Sequence, residues 1–390
     1  MTSIIVNGGV VMEIAVAKSV PANLKRIRNI KGLTQDAIAA KAGISRNAYR
    51  SIENGTSEPR VSNLKSLADA LDVKIFDLFR TVPAIPSLRF RSNKTLNSRE
   101  QDKRQQHISD FACWLRDFNF LEDELKEKKR FELKKLVGST TDPLGMAYKV
   151  RSTLKIDDEP IRDICDLVES AGVKIFLIDS DLDNFFGFSL SEKDGGPAIG
   201  VNESIKINVE RKIFTVAHEL GHILLHPDSF DSKEKIEMDD AEKGADTFAS
   251  HLLMPQKCFK QELEKSKGLH WMKQVLHIKR IFKVSYKTVL VRLREDGLVD
   301  NSIWQKFALE CKRLGISLKD HFEPESLPQD DFRPEPVEPL SSYDFVESRL
   351  NLLVRKAFEK EVITTGKAAE ILGIDLMAMR ELSNAWSTVA

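Results

Sequence analysis

Two histidines and a glutamate within residues 218–222 have the types and spacing to bind a metal ion and activate water. His218 and His222 are four residues apart, so on a helix they lie about 40° apart around the axis and about 6 Å apart along it. Both imidazoles can therefore reach one ion, and nitrogen ligands of this kind suit zinc. Glu219 falls in the same sector, where it can accept a proton from water without being a ligand. The motif predicts a hydrolytic zinc site.

The next predicted helix, over residues 241–253, supplies a third ligand. Glu242 lies twenty residues after His222 and can complete the ligand set. Asp246 is one turn further along the same face, where it can accept the free ring N–H of a ligating histidine. Three ligands beside a glutamate base favour zinc, although a two-metal site or an iron bound by a facial triad is compatible with the same residue types. His226 is a less favoured ligand, because no glycine lies between it and His222 to turn the chain.

A second group of polar residues, near the N-terminus, has the pattern of a DNA-binding surface. Thr34 and Ser45 are typical N-cap residues, and they predict helices over residues 35–42 and 46–53 with a tight turn at Gly43. Such a pair forms a helix-turn-helix, whose second helix fits the major groove. The side chains predicted to contact DNA are Gln35, Ser45, Arg46, Asn47, Tyr49 and Arg50.

The chemistry of these side chains suits both parts of a DNA contact. Asn47 and Arg50 can read base edges, whereas Gln35 and Arg46 are better placed for phosphates. Residues 22–80 contain eleven basic and six acidic residues, a local net charge of +5. The first helical segment therefore carries a basic surface although the whole chain is neutral.

Length and composition indicate the class of protein that contains these two sites. The chain has 390 residues, 42% hydrophobic and 30% charged, with a formal net charge of zero. These values exclude collagen-like, wholly disordered and uniformly basic proteins and predict several globular domains. The four cysteines are scattered, which indicates a reducing compartment. We expect a cytoplasmic protein, because no apolar run approaches the roughly 20 residues that span a bilayer.

Periodicity and turn signals predict a multidomain, mainly α-helical chain. Strand-like runs among helices predict an α+β core around the metal site, and the N-terminal helix-turn-helix domain is all-α. The predicted segments are a tail or hairpin (1–20), the helix-turn-helix domain (21–80), a basic linker (81–106), connecting helices (107–141), the metal-binding domain (142–258), a helix-turn-helix-like module (259–320), a Pro-rich linker (321–342) and a C-terminal helical module (343–390). The two C-terminal modules are either packing units or additional binding surfaces.

Residues 21–80 closely resemble the Cro/repressor-like, or XRE, helix-turn-helix family. The matching positions are Leu33, Thr34, Gln35, Ala39, residues 42–45, residues 52–55, Pro59 and residues 64–71. The resemblance implies that the domain binds an operator in double-stranded DNA, with a homodimer as the default expectation.

The segment from about residue 144 to residue 255 resembles the ImmA/IrrE family of zinc metallopeptidases. The matching positions are residues 187–189, 199–202, Arg211, residues 214–222, Glu242, Ala245, Asp246, residues 248–249 and residues 252–255. The resemblance implies Zn²⁺ held by His218, His222 and Glu242, with Glu219 as general base. It also implies that the strand at Val201 and Asn202 could pair with an extended substrate.

The sequence departs from the ImmA/IrrE family pattern at two positions. Asp246 stands where the family often has asparagine, and Ile213 stands where a second basic residue is expected. Neither difference removes a ligand or the base.

Two functions fit this combination. The first is a DNA-binding transcriptional regulator with a zinc-dependent endopeptidase domain that cleaves a partner protein such as a repressor. The alternative is an antitoxin-like autorepressor that binds a cognate toxin, with the zinc structural or the peptidase inactive.

Overall fold

The computed structural model describes residues 9–73, 75–79, 83, 88–90, 97–182, 184–230, 239–318, 323–327 and 338–388. The chain divides into two compact units, one made of residues 1–84 and 94–116 and the other of residues 85–93 and 117–390. The first unit is helical, and the second contains the sheet. None of the helices in the described part of the chain is long and apolar enough to cross a bilayer.

The first unit consists of helices. They are α1 (Gly9–Ile30), α2 (Gln35–Lys41), α3 (Arg46–Glu53), α4 (Val61–Leu71) and a 3-10 turn at Ile75–Leu78. A long helix, α5 (Ser98–Leu125), contributes residues to both units. The Thr34 side chain accepts a hydrogen bond from the Ala37 amide and the Ser45 side chain accepts one from the Ala48 amide, so both predicted N-caps are confirmed. Buried Leu24 helps to hold the helices together.

The prediction of a tail or hairpin over residues 1–20 is wrong for the part that the structure describes. From Gly9 onward this segment is helix α1. The hairpin prediction rests on the turn signal Asn7, Gly8 and Gly9, of which Asn7 and Gly8 lie outside the described residues. Met12, Glu13 and Ala15 have good helix propensity, and this local preference outweighs the turn signal before them.

A four-stranded sheet lies at the centre of the second unit. Its strands are β1 (Leu88–Phe90), β2 (Lys174–Ile178), β3 (Gly187–Leu190) and β4 (Ala198–Asn202). The order across the sheet is β1-β3-β4-β2; β3 is antiparallel to both of its neighbours, and β2 is parallel to β4. Strands β2, β3 and β4 lie among the helices of the predicted metal-binding domain, so the α+β core predicted from the strand-like runs is confirmed.

Helices surround this sheet and continue to the C-terminal part of the chain. They are α6 (Pro143–Thr153), α7 (Ile164–Ser170), α8 (Val209–Leu225), α9 (Asp239–Leu253), α10 (Gln256–Lys265), α11 (Trp271–Phe282), α12 (Tyr286–Glu295), α13 (Ile303–Arg313), α14 (Arg349–Glu359), α15 (Thr365–Leu372) and α16 (Leu376–Thr388). Helix α8 contacts β3 and β4 and also packs against α6, α7 and α9. The predicted metal helix therefore lies between the sheet and the other helices.

Gly221 of α8 lies very close to α9. A Cβ atom at this position would lie 2.8 Å from Cδ1 of Phe248 and 3.3 Å from Cα of Ala245, both on α9. Glycine thus lets the two backbones come close together. This contact sets how near the start of α9 can lie to the histidines of α8.

The segment predicted as a basic linker, residues 81–106, contains regular structure in both units. Residues 88–90 form β1, and α5 begins at Ser98. The linker prediction is wrong for these residues. The linker prediction depends on amino-acid composition. Composition cannot reveal a strand that has only three residues and pairs with a strand about a hundred residues away in the sequence.

The predicted boundary at residue 258 does not separate two cores. One continuous apolar core runs from Phe131 to Phe345 and includes residues of α8, α9, α11, α12 and α13. Tyr286 of α12 stacks on Phe307 with ring centroids 4.6 Å apart, and its backbone amide donates to the Glu323 carboxylate. The helix-turn-helix-like pattern over residues 259–320 is therefore part of the packing around the peptidase-like core.

The predicted Pro-rich linker packs against this core where it is described. Leu327 is buried, and the Glu325 carboxylate pairs with the buried Lys279 ammonium. The same ammonium lies 2.6 Å from Glu210 in the first turn of α8. Residues 328–337 of the predicted linker lie outside the described residues.

The Gly221 contact predicts a specific stability defect. We expect Gly221→Ala to reduce the free energy of unfolding by about 1–3 kcal/mol, because the added methyl group has to displace Phe248 or the backbone of α9. Urea denaturation measures the change. Gly268→Ala is the matched control, since a Cβ atom there would meet nothing within 4 Å. An equal free energy of unfolding for the two variants would show that the α8–α9 interface can accept a methyl group at position 221 without strain.

Candidate metal centre and DNA interface

Three side chains from α8 and α9 converge on one point. The Nε2 atoms of His218 and His222 are 3.0 Å apart. Glu242 places one carboxylate oxygen 3.3 Å from Nε2 of His218 and the other 3.1 Å from Nε2 of His222. Both histidines are buried and the Glu242 side chain is nearly so. The structure brings together the three residues predicted as metal ligands.

These separations suit a small tetrahedral cation. Ligand atoms about 2.1 Å from such an ion lie about 3.4 Å from one another. The two Nε2 atoms are 3.0 Å apart, and each lies 3.1 or 3.3 Å from a different oxygen of the Glu242 carboxylate, so all three separations are close to that value. Among the described residues, His218, His222 and Glu242 form the group of potential ligands whose donor atoms all lie within 4.8 Å of one another. The two nitrogens and one carboxylate therefore fit a metal ion.

Each histidine is oriented through its second ring nitrogen. Nδ1 of His218 lies 2.8 Å from the Asp246 carboxylate, as the sequence predicts for an outer-sphere partner. Nδ1 of His222 lies 3.0 Å from Nδ1 of His226, a role that the sequence analysis did not assign. The i, i+4 spacing of those two histidines was the available signal. Both Nε2 atoms are thereby directed to the shared point.

The surroundings of His218 are strongly negative. Burial alone disfavours its charged form, but hydrogen bonds to Asp246 and Glu242 outweigh burial and raise the pKa of His218 to about 8. Stabilisation of a positive charge at this position is what a cation site requires.

Glu219 lies beside the three ligands and is held by a residue from the sheet. The Ser189 hydroxyl donates a hydrogen bond of 2.7 Å to Oε2 of Glu219, and both residues are buried. β3 can come this close because it begins with Gly187, where a Cβ atom would lie 2.5 Å from the Thr215 methyl group. The contact fixes the orientation of a carboxylate that is not in the ligand group.

The predicted substrate-pairing role of Val201 and Asn202 is wrong. Their strand, β4, has β3 on one side and β2 on the other, so neither edge can accept another strand. Val201 is buried in the core. The Asn202 side chain accepts hydrogen bonds from the amides of Ser180 and Ser204 and donates to the carbonyl of Phe185, so it organises the surrounding loops.

By residue type, His226 and Tyr148 are candidates for a donor that stabilises an oxyanion. His226 is hydrogen-bonded to the ring nitrogen of His222 that points away from the other ligands. Tyr148 is 43% exposed on α6. The departure at Ile213 is explained by the fold, because this residue is buried in the core where a basic side chain would be costly.

In the first unit, α3 presents an exposed polar face. Arg46, Asn47 and Arg50 are all exposed along it. Arg46 lies 3.2 Å from Asp36 of α2, an exposed ion pair that a phosphate could replace at little cost. The three residues are available for contact with DNA, as the helix-turn-helix pattern predicts.

Tyr49 does not belong to this face, and its predicted DNA contact is wrong. Its side chain is fully buried between the helices. Burial and the neighbouring Glu53 carboxylate raise the pKa of Tyr49. Glu53 in turn receives two hydrogen bonds from the guanidinium of Arg28 on α1. Position 49 is three residues before buried Ile52, so helical spacing puts it on the core side.

The remaining two predicted DNA residues have structural contacts. The Ser45 hydroxyl caps α3 but is exposed. Gln35 is half-buried, and its side chain hydrogen-bonds to the Glu53 carboxylate, which helps to keep the pKa of Glu53 low against the opposing effect of burial. Their DNA contacts stay predictions.

Two family models match the chain, one in each unit. The helix-turn-helix model matches residues 24–78. The model of the IrrE N-terminal-like domain matches residues 168–294, which includes the metal centre. The second match extends past residue 258 through α12, in agreement with the continuous core.

Individual relatives agree with both matches. The chain is 30% identical over 130 residues to the metallopeptidase ImmA of Bacillus subtilis, covering 32% of this chain and 72% of ImmA. It is 38% identical over 69 residues to y4dJ, an HTH-type transcriptional regulator of Sinorhizobium fredii, covering 18% of this chain and 90% of y4dJ. It is also 36% identical over 78 residues to the HTH-type transcriptional regulator YqaE of B. subtilis, covering 20% and 67%.

The fold, the metal centre and these similarities define a helix-turn-helix transcriptional regulator fused to a metallopeptidase domain. The chain belongs to the XRE-type helix-turn-helix family through its first unit and to the ImmA/IrrE metallopeptidase family through its second.

The exposed face of α3 gives a prediction for DNA recognition. We expect Arg50→Ala to weaken binding to the operator by about 1–3 kcal/mol, because a guanidinium can donate two hydrogen bonds to a guanine edge. Fluorescence anisotropy at one fixed salt concentration, with an operator selected from random DNA, measures the change.

Arg60→Ala is the matched control, since Arg60 is an exposed arginine outside α3, at the N-cap of α4. Its loss should lower operator and random-DNA affinity alike. Unchanged operator affinity of Arg50→Ala would exclude Arg50 as a base contact.

Proposed function

We propose that this protein binds an operator through its first unit and that its second unit is a zinc-dependent endopeptidase, which cleaves a partner protein such as a repressor. The observation that carries the proposal is the placement of Glu219. It follows the ligand His218 in α8, its charge helps to raise the pKa of that histidine, and buried Ser189 holds it in position. A carboxylate arranged in this way has the role of a base in hydrolysis.

Zinc is the metal that the donor set favours. Two imidazole nitrogens and one carboxylate are the protein ligands of catalytic zinc sites, which keep a further position open. When bound, zinc polarises a carbonyl group and lowers the pKa of water toward about 7. His218, His222 and Glu242 would hold it, with Asp246 and His226 fixing the two rings.

The residues of the chain then divide the proton transfers among themselves. Glu219 accepts the proton of the attacking water and delivers it to the leaving amide nitrogen. Ser189 keeps the carboxylate of Glu219 in one orientation during both steps. Burial of this pair keeps bulk water away from the base. The net reaction is hydrolysis of one peptide bond.

The alternative, an antitoxin-like autorepressor that binds a toxin, needs the metal only for structure. A structural site is complete with its ligands, and it has no use for a buried carboxylate held beside them by Ser189. The geometry therefore favours the peptidase. In both functions, the first unit is proposed to bind DNA as a homodimer.

Removal of the base separates the two functions. We expect Glu219→Gln to lower the rate of substrate cleavage by about 10²–10⁴-fold, because the amide cannot accept the proton. Mass spectrometry of protein N-termini, in cells that produce either protein, identifies cleavage products that only the wild type makes. Zinc content and operator affinity should not change.

Glu203→Gln is the control for this experiment. Glu203 is an exposed glutamate near the start of α8, and its substitution should leave the cleavage products as they are. Full biological activity of Glu219→Gln, with no N-terminus specific to the wild type, would contradict the peptidase and favour the toxin-binding function.

A further inference from the structure

The edge of the sheet nearest to Glu219 is occupied by the chain itself. β1 pairs antiparallel with β3, with Leu88 opposite Leu190, Arg89 opposite Ser189 and Phe90 opposite Phe188. β3 has β4 on its other side. The outer edge of β3 is therefore the side on which a further strand can be added, and β1 takes it.

The outer edge of β3 lies one side chain away from the proposed catalytic base, Glu219. Position 89 lies opposite Ser189, whose hydroxyl is 2.7 Å from the Glu219 carboxylate. A strand on this edge also lies against the 3-10 turn at Pro227–Phe230, which follows the metal helix. Extended peptides bind proteins by adding a strand to such an edge through backbone hydrogen bonds. A peptide in the place of β1 would run past the metal centre.

β1 comes from outside the peptidase-like segment. It begins ten residues after the matched helix-turn-helix segment ends at residue 78 and eighty residues before the matched peptidase segment begins at residue 168. The chain leaves the first unit after Ala84 and enters it again at Lys94. The strand that covers the edge is thus joined at both ends to the DNA-binding unit.

The length of β1 suits a strand that can be displaced. It has three residues, whereas β2 and β4 have five each. Proteins often protect an open sheet edge with a very short strand, which forms few backbone hydrogen bonds. A longer extended substrate would form more of them with β3 and could replace it.

We propose that Leu88–Phe90 is an internal competitor of the substrate. It occupies the edge of β3 to which an extended segment of the protein substrate pairs, and it lowers peptidase activity until it leaves. This inference rests on the proposed function of the metal centre. Because β1 is joined to the DNA-binding unit, a change in that unit has a covalent route to the peptidase.

The first test measures whether the edge is occupied, without using activity. The probe is a fluorescent peptide with the sequence of residues 85–93, titrated into the full-length, zinc-loaded protein. Arg89→Pro with Phe90→Pro removes two adjacent backbone donors, so that a ladder hydrogen bond is lost whichever residue faces β3. Arg89→Ala with Phe90→Ala is the matched control, because it keeps both amide groups.

We expect the proline variant to bind the peptide at least tenfold more tightly than the wild type and the alanine control. Hydrogen exchange should be faster at the β3 amides of the proline variant before peptide is added and slow again afterwards. Unchanged zinc content and helical circular dichroism show that the variant is folded. Equal peptide affinity in all three proteins, or equal protection of β3, would overturn the proposal.

The second test connects occupation to activity. Substrate cleavage by the proline variant should be several-fold faster than by the wild type, and Glu219→Gln added to that variant should abolish cleavage while leaving peptide affinity unchanged. If the proline variant binds the peptide more tightly but no variant cleaves a substrate, the proposed peptidase function is contradicted, whereas the occupation of the β3 edge by β1 is supported. Self-cleavage between residues 84 and 96 that depends on Glu219 would overturn the competitor role, since the segment would then be a substrate.

Discussion

The close packing of α8 against α9 is the constraint on which the metal centre depends. His218 and His222 lie on one helix and Glu242 on the other, so three ligands meet only if the helices approach as closely as Gly221 allows. The sheet supports the opposite side of α8, where β3 brings Ser189 to Glu219. Two neighbours of α8 therefore have separate roles: α9 supplies the third metal ligand, and β3 positions the base.

The metal centre was predictable from the sequence because its information is local. A spacing of four residues places His218 and His222 on one helical face, and the same period links Glu242 to Asp246. The N-caps Thr34 and Ser45 were predictable for the same reason, since a cap bonds to an amide only three residues away. Helix positions and strands β2, β3 and β4 followed from such signals.

Features that depend on distant partners were not predictable in this way. The helix-turn-helix pattern predicts Tyr49 on the DNA face, but its side chain is buried beside Glu53, which pairs with Arg28 of the distant helix α1. The family resemblance implies a substrate edge at Val201 and Asn202, but a single sequence does not give the strand order, and β4 lies between β3 and β2. β1 has three residues and a partner about a hundred residues away, so no periodicity marks it.

Zinc content is the measurement that tests the central claim most directly. Elemental analysis of protein purified without chelator should find about one zinc per chain in the wild type and much less in Glu242→Ala, which lacks the ligand from α9. Asp240→Ala, in the exposed first turn of the same helix, should keep the zinc of the wild type. Absence of zinc from the wild type, or full zinc in Glu242→Ala, would contradict a metal centre built by α8 and α9.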